Sequence, residues 1–575
     1  MSQTSKTSSY DSADVRSEMG KRLSRMMKER TEHEPNWKEV KEFILPRAGA
    51  FDNSDGNSLR IPNYDSILNS TATNAVKVFV AFIMAGMSSP ARPWFKLTKD
   101  DLTTEPSPEE SAWMDSFRDL MLQVFSKSNL YHVLPRVYEE GAGFGNGCTY
   151  ISEDYQDVVR FYHYTVGTFY WGLSERLEVD TIYRPFKMKV GQVVRKFGKD
   201  AVSPSLLQKY NSGKIAEEVS IVHAIEPNVE SLPKKLRPVD TTKKFVSIYY
   251  EQDSTEVVDK VLSVSGYRQF PAMPFRMNIS ADDPYGFGTG EDCLGDVREL
   301  QHKELELATA LDYVTDPPLN STGGMGHVFR HPGAVNIINP HMQEDLKPTY
   351  QIDYQGLQHV RVEINVLETR IREWFDNHLA RHILDENRSN ITAREIEAAE
   401  QEKLLLAGPV LESVQIFLSK IIDRTFEIML NAGVGESPPQ SMQGSNLNVE
   451  FLGVLAQAQK AVGVRSIERA INFIGGVAEM KESVIPGEGA KAWDIWDSDE
   501  GIRDYLRMIG TPSDQHVDPK AVEEIRAARA QAAQQQQAMM ENEALAGTAK
   551  TLSETSMEGE SALSAALDVT GGGFG

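Results

Sequence analysis

Three sets of residues have types and spacings that chemistry could use. His378 and His382 stand four apart with Glu386 four further on, so on one helical face they could hold a metal ion. The H-E-x-x-H pattern is missing, however, and Asp385-Glu386-Asn387-Arg388-Ser389-Asn390 has the composition of a polar loop. A plain polar loop is the stronger reading, and a metal-dependent nuclease or hydrolase is the alternative. Two glycine clusters come next, Gly286-Phe287-Gly288-Thr289-Gly290 and Gly141-Ala142-Gly143-Phe144-Gly145. Neither completes G-x-G-x-x-G, because Glu291 and Asn146 occupy the last position, and the second cluster follows a helical pattern where a strand is required. Turn chemistry is expected of both, since glycine is the default where φ must be positive. Gly86-Met87-Ser88-Ser89-Pro90 fails as a nucleophile elbow at its fifth position. The acidic pairs Asp282/Asp283 and Asp100/Asp101 are adjacent in sequence, which points their side chains apart. There is no Walker A run, and no catalytic constellation or cofactor site stands out.

Composition narrows the classes further. With 60 basic and 83 acidic residues in 575, the net charge is −23, which disfavours tight non-specific binding to DNA. Cys148 and Cys293 lie far apart, so neither a disulfide framework nor a cysteine metal site is implied, and a reducing compartment fits. Met1–Asp11 has no apolar core and does not read as a signal peptide. The longest apolar run, Ala75–Met87, contains Lys77 and is too short for a bilayer, so no membrane association is expected. Length alone suggests two to four domains.

The elements that would position any site centre on residues 284–432. Leu294, Val297, Leu300, Leu307, Leu311 and Val314 recur at helical spacings until Asp316-Pro317-Pro318. An irregular insert follows, and then Leu357, Val360, Ile364, Leu367, Ile371 and Trp374 step 3, 4, 3, 4, 3, the spacing that packs helix against helix. Two such helices joined at their far ends form a hairpin whose stripes neither can bury alone. Thr392-Ala393-Arg394-Glu395 then opens a long helix with a capping box, and Gly408-Pro409 should kink it.

Around this frame the N-terminal part predicts helices at 13–30, 36–44, Ile67–Met87, Ser111–Ser126 and Tyr131–Glu140, with a short strand at Pro93–Leu97. Short β segments follow between 148 and 275, with a helix at Val190–Phe197, as one α+β body continuous with those helices. Beyond a Gly/Pro/Ser linker, helices are expected at Val449–Met480, Trp493–Met508 and Asp518–Met540. Trp37, Trp94, Trp113 and Trp374 sit on apolar faces, where core or subunit packing is expected over base stacking.

The order of these segments resembles the head-to-tail connector (portal) proteins of short-tailed, podovirus-type double-stranded DNA bacteriophages. The places that carry it are the Trp37 helix ending in Ile44-Leu45-Pro46, and Ser88-Ser89-Pro90-Ala91-Arg92-Pro93-Trp94-Phe95 after an apolar helix. They continue with Tyr285-Gly286-Phe287-Gly288 leading to Leu294-Gly295-Asp296-Val297-Arg298-Glu299-Leu300 and Asp316-Pro317-Pro318-Leu319, and with Ile391-Thr392-Ala393-Arg394-Glu395. The resemblance implies a predominantly helical α+β subunit of a virion ring, usually of twelve copies, at one capsid vertex. It implies a flexible N-terminus (1–12), a wing (13–283), a first stem helix (284–314), a clip (315–352) and a second stem helix (353–377). A tunnel loop (378–391), a long kinked wing helix (392–432), a helical crown (433–540) and a flexible tail (541–575) complete it.

Implied partners are copies of the chain itself, the major capsid protein and scaffold, a terminase motor that supplies the ATP hydrolysis, a tail adaptor, and double-stranded DNA that slides through. The implied channel candidates are Arg298, Lys303, Glu299, Glu306, Arg361, Arg381, His382 and Arg388. The implied docking candidates in the clip are His327, Phe329, Arg330, His331 and Lys347. Glu291, Asp292, Asp296, Glu299, Glu304, Glu306 and Asp312 outnumber Arg298 and Lys303, so an acidic helix face could keep a polyanion centred without gripping it. The plain alternative for the loop charges is solvation. A second rival is a helical scaffold without a pore.

Overall fold

Caps and alternation in the sequence become three antiparallel sheets and a set of helices in a computed structural model. It describes residues 12–51, 66–99, 107–228, 242–252, 261–280, 282–315, 354–375, 408–442, 447–452, 454–484, 489–509 and 519–554. Contacts divide the chain into two units, Met1–Ile509 and Gly510–Gly575. In the second, α14 (Pro519–Glu554) is exposed from Glu523 onward along its described side chains, as its Ala/Gln/Glu-rich sequence predicts.

The first unit opens with α1 (Ser12–Thr31), α2 (Glu34–Phe43), α3 (Thr71–Met87), β1 (Phe95–Lys99), α4 (Pro108–Lys127) and α5 (Leu130–Phe144). Ser107 caps α4: its hydroxyl accepts from Glu110 N while the Glu110 carboxylate accepts from Ser107 N. Then come β2 (Asn146–Asp154), β3 (Val158–Tyr164), β4 (Tyr170–Leu173), β5 (Val179–Lys189), α6 (Val190–Phe197) and α7 (Pro204–Asn211). β6 (Glu218–Pro227), β7 (Phe245–Glu251), β8 (Ser263–Tyr267) and β9 (Ala272–Arg276) close the sheets, in the orders β3-β2-β9 and β4-β5-β6-β7-β8. Val190–Phe197 is helical as expected; α7, β8 and β9 went unread in the sequence.

The frame follows as α8 (Thr289–Asp292), α9 (Leu294–Thr315), α10 (Tyr354–Trp374) and α11 (Gly408–Asn431). Last in this unit are β10 (Leu447–Phe451), α12 (Val454–Val484) and α13 (Ser498–Ile509). The main core joins α2 to α5, β2, β3, β9, the near ends of α9 and α10, and α11 around buried Trp37, Trp94, Phe144, Phe275, Phe417 and Ile421. The N-terminal helices and the β segments thus share one core. A smaller cluster seats Met19 and Leu23 of α1 on the five-stranded sheet, and another packs α6 and α7 on its other end.

Three expectations need correction. Gly141–Gly147 is no free turn: Gly141 and Gly143 lie within α5, Gly145 ends it at φ 70°, and Gly147 is in β2. Val449–Phe451 is strand, not helix, because Leu447, Val449 and Phe451 alternate with polar residues and pair antiparallel with β1, Phe95 opposite Phe451. Trp374, expected as the last residue of the stripe that packs α10 on its partner helix, is 48% exposed instead, its indole N–H donating to Asp296 Oδ2 at 3.1 Å. The expected kink at Gly408-Pro409 falls at the edge of the described residues, and 392–407 lie outside them.

Candidate functional site

The two glycine clusters meet each other, and their contact fixes where the frame begins. A Cβ on Gly145 would come within 2.4 Å of Phe287 C, and one on Gly288 within 2.6 Å of Gly143 O. Backbone touches backbone, which only glycine allows. Asn146 locks the contact, donating from Nδ2 to Gly286 O (2.8 Å) and accepting at Oδ1 from Gly286 N (2.9 Å). Met277 N donates to Gly145 O (2.9 Å) and Phe287 N to Met277 O (3.0 Å). Tyr285 is buried between Trp37 and Trp171, ring centroids 5.3 and 5.8 Å away.

Glu291 points into this junction. Its Oε1 accepts from Trp37 Nε1 (3.2 Å) and weakly from Gly288 N (3.4 Å), while Oε2 is buried with no hydrogen-bond partner among the described residues. Burial, only partly offset by the bonds from Gly288 and Trp37 and by the Asn36 side chain, pushes its carboxyl up to about 7. His33 stacks on Trp37 and meets Asp283 at 2.9 Å.

From here α9 and α10 run antiparallel. Leu294, Val297 and Leu300 of α9 and Leu357, Ile364, Leu367 and Ile371 of α10 are buried. Ion pairs hold the register: Asp296 meets Arg370, and Lys303 lies 3.6 Å from Glu363. Gln301, 6% exposed on the apolar face of α9, accepts from Leu68 N (2.8 Å) and Asn69 N (2.9 Å) and donates to Asn69 O (2.8 Å). The Asn69 side chain reaches both helices, Nδ2 donating to Glu304 Oε1 (2.8 Å) and Glu368 Oε1 (2.9 Å). Desolvation opposes ionisation of Glu368, yet bonds from Asn69, Arg372 and Thr71 hold its carboxyl below the usual range. Neither Asn69 nor Gln301 was singled out in the sequence. A Gln four residues beyond Val297, on the buried stripe, is the signal that could have found it.

On its other faces the helix pair carries apolar side chains outward. Leu305 is 53% exposed, Val314 52%, Val362 59% and Val366 52%.

The channel candidates are only partly assembled. Arg298 is exposed but meets Glu39 of α2 at 3.2 Å; Lys303 is shared between Glu306 (3.4 Å) and Glu363. Glu306 also meets His302 at 3.1 Å, and Glu299 and Arg361 are exposed. The seven acids expected on one face divide: Glu291 turns inward because it precedes α9, Asp296 and Glu304 are held by Arg370 and Asn69, and Asp312 is exposed. Arg381, His382 and Arg388, the clip candidates His327, Phe329, Arg330, His331 and Lys347, and His378 and Glu386 all lie outside the described residues.

Among the described residues no group of three His, Cys, Asp or Glu could hold a metal ion, and no helix is long and apolar enough to cross a membrane. Cys148 and Cys293 are buried free thiols.

A family model described as bacteriophage head to tail connecting protein matches residues 16–516. The chain is 34% identical over 558 residues to a probable portal protein of Bordetella phage BPP-1, covering 95% of this chain and 97% of that one. It is 33% identical over 556 residues to a portal protein of Salmonella phage epsilon15, covering 96% and 98%.

Proposed function

The chain belongs to the bacteriophage head-to-tail connecting proteins and has the role of a portal protein, and from that membership we propose a specific way of working. Copies close into a ring, usually of twelve, at one capsid vertex, with α9 and α10 as stem helices around a DNA channel. Residues 315–352 form the clip that docks a terminase motor and later a tail adaptor; the outer body faces the major capsid protein and scaffold. The metal-dependent nuclease reading gains no support from the family or the relatives.

One observation carries the ring reading: the paired helices bury one stripe, Leu357 to Ile371 on α10, and expose Leu305, Val362 and Val366 on other faces. A subunit that leaves valines at two positions one helical turn apart exposed on a packed helix is built for a neighbour. The mechanism needs no phosphate-binding loop, because an external motor supplies the work and the channel must only avoid gripping DNA. Glu299, Glu306 and Asp312 supply repulsion, while Arg298 and Lys303, engaged with in-chain carboxylates, are restrained from clamping phosphates.

Electron microscopy of purified protein viewed down the particle axis tests this directly. Closed rings with a central opening are expected. A monodisperse monomer, dimer or trimer at micromolar concentration would exclude the ring and favour a scaffold without a pore.

A further inference from the structure

The segment before α3 contacts both stem helices at once, and its chemistry is unusual. Glu304 on α9 and Glu368 on α10 are like charges on adjacent helices, and each offers Oε1 to the same Asn69 amide nitrogen, at 2.8 and 2.9 Å. The two hydrogens of one carboxamide are thereby divided between two helices. The same side chain caps α3, Oδ1 accepting from Thr71 N at 2.9 Å, and the Asn69 backbone is gripped on both sides by Gln301. Helix α3 packs in turn against α5, α10 and α12. All four polar positions are half-buried or buried, so unmet groups there are destabilising.

We propose that Asn69 is a positioning residue for the stem, a clasp whose one amide holds Glu304 and Glu368 side by side and ties the α9–α10 pair to the first turn of α3. The amide has to be neutral and has to donate twice. An aspartate would keep the shape and the cap on Thr71 but would place a third carboxylate between two others. The consequence for a DNA channel rests on the portal reading: the clasp sets the tilt at which the stem leaves the body, and hence the orientation of its charged face.

The test moves the amide. In Asn69→Asp, hydrogen exchange of the full chain at amides of 294–311 and 354–374 should accelerate by about tenfold, while β2 and β6 keep their protection. In the double variant N69D/E304Q the charge of the trio returns to its original value, and the carboxamide introduced on α9 donates to the new carboxylate at position 69, restoring one of the two bonds while that carboxylate still faces Glu368. Stem protection should recover by about threefold from that of N69D, short of the unaltered protein. A role in packing volume alone predicts no rescue, because Glu and Gln are the same size. Asn69→Ala adds no charge and serves if N69D does not fold; it should accelerate the same peptides.

Unchanged stem exchange in N69A, or no rescue in N69D/E304Q, overturns the clasp. Rings imaged in the same unaltered sample keep the two questions apart. Their absence overturns the ring reading, whereas the exchange pattern reports on the clasp in either case.

Discussion

Glu291 shows how far one residue's role depends on three-dimensional context. By sequence it is one of several acids at the head of an acidic helix; in the structure its carboxyl lies under Trp37 with one oxygen unpartnered among the described residues. Its raised value of about 7, against an ordinary 4.5, fixes the sign of a pH effect. The folded state binds the proton more tightly than the unfolded state, so this group's contribution falls as pH rises from about 4.5 to about 7. Above that window the ionised carboxylate is a standing penalty of about 3 kcal/mol. Glu291→Gln should therefore raise stability at pH 8 and flatten the melting temperature between pH 5 and 7, as followed by thermal denaturation. An unchanged pH profile would mean the carboxyl is solvated. Gly145 makes a different kind of residue-scale case. Gly145→Ala must place a Cβ 2.4 Å from a backbone carbon at φ 70°, and should lower stability by more than about 2 kcal/mol. Gly433→Ala also has positive φ, 68°, at the left-handed end of α11, but nothing within 4 Å, and should lose only about 1 kcal/mol when both variants are compared by denaturant titration.

At the scale of elements, periodicity was readable wherever one face is buried locally. Val297 and Leu300, then Ile364, Leu367 and Ile371, announced α9 and α10, and the structure buries all five. The strands between 148 and 250 were visible for the same reason, whereas β8 and β9 were not. Legibility failed where a partner is distant in sequence. Leu447–Phe451 alternates, but its pairing with Phe95–Lys99 spans about 350 residues, and the helix that follows masked the short strand. The glycine clusters were read as separate turns because nothing local says that one is the other's contact surface. Asn69 and Gln301 were invisible for that reason too, since a loop amide takes its meaning only from the two helices it touches. The buried and exposed stripes of α10 predict a contrast. Ile371→Ala should cost the subunit about 2–5 kcal/mol in denaturant unfolding, as a core truncation does. Val362→Ala on the same helix should stay within about 0.5 kcal/mol. Equal losses would mean that both faces are already packed within one chain.

For the whole molecule, net charge and exposed apolar surface pull assembly in opposite directions, and their balance can be measured. Each copy carries −23, so gathering copies into a ring raises self-repulsion that salt screens over about 10 Å at 0.1 M. In the proposed ring, burial of the exposed Leu305, Val362 and Val366 against a neighbour would oppose that repulsion and be insensitive to salt in this range. The ring fraction measured by mass photometry should then rise as sodium chloride goes from about 10 to 200 mM. Inter-subunit ion pairs as the main bond would give the reverse, rings dissolving as salt is added. The double variant V362E/V366E separates the terms further. Both positions are solvent-facing within one subunit, so the variant should fold with its melting temperature nearly unchanged. It would put two carboxylates per copy into the interface while adding two charges to an already acidic chain, and should remain monomeric even at about 200 mM salt, where screening has relieved the long-range part. Rings formed by this variant at any salt would show that the neighbour does not sit on that face of α10, and would move the interface elsewhere on the subunit.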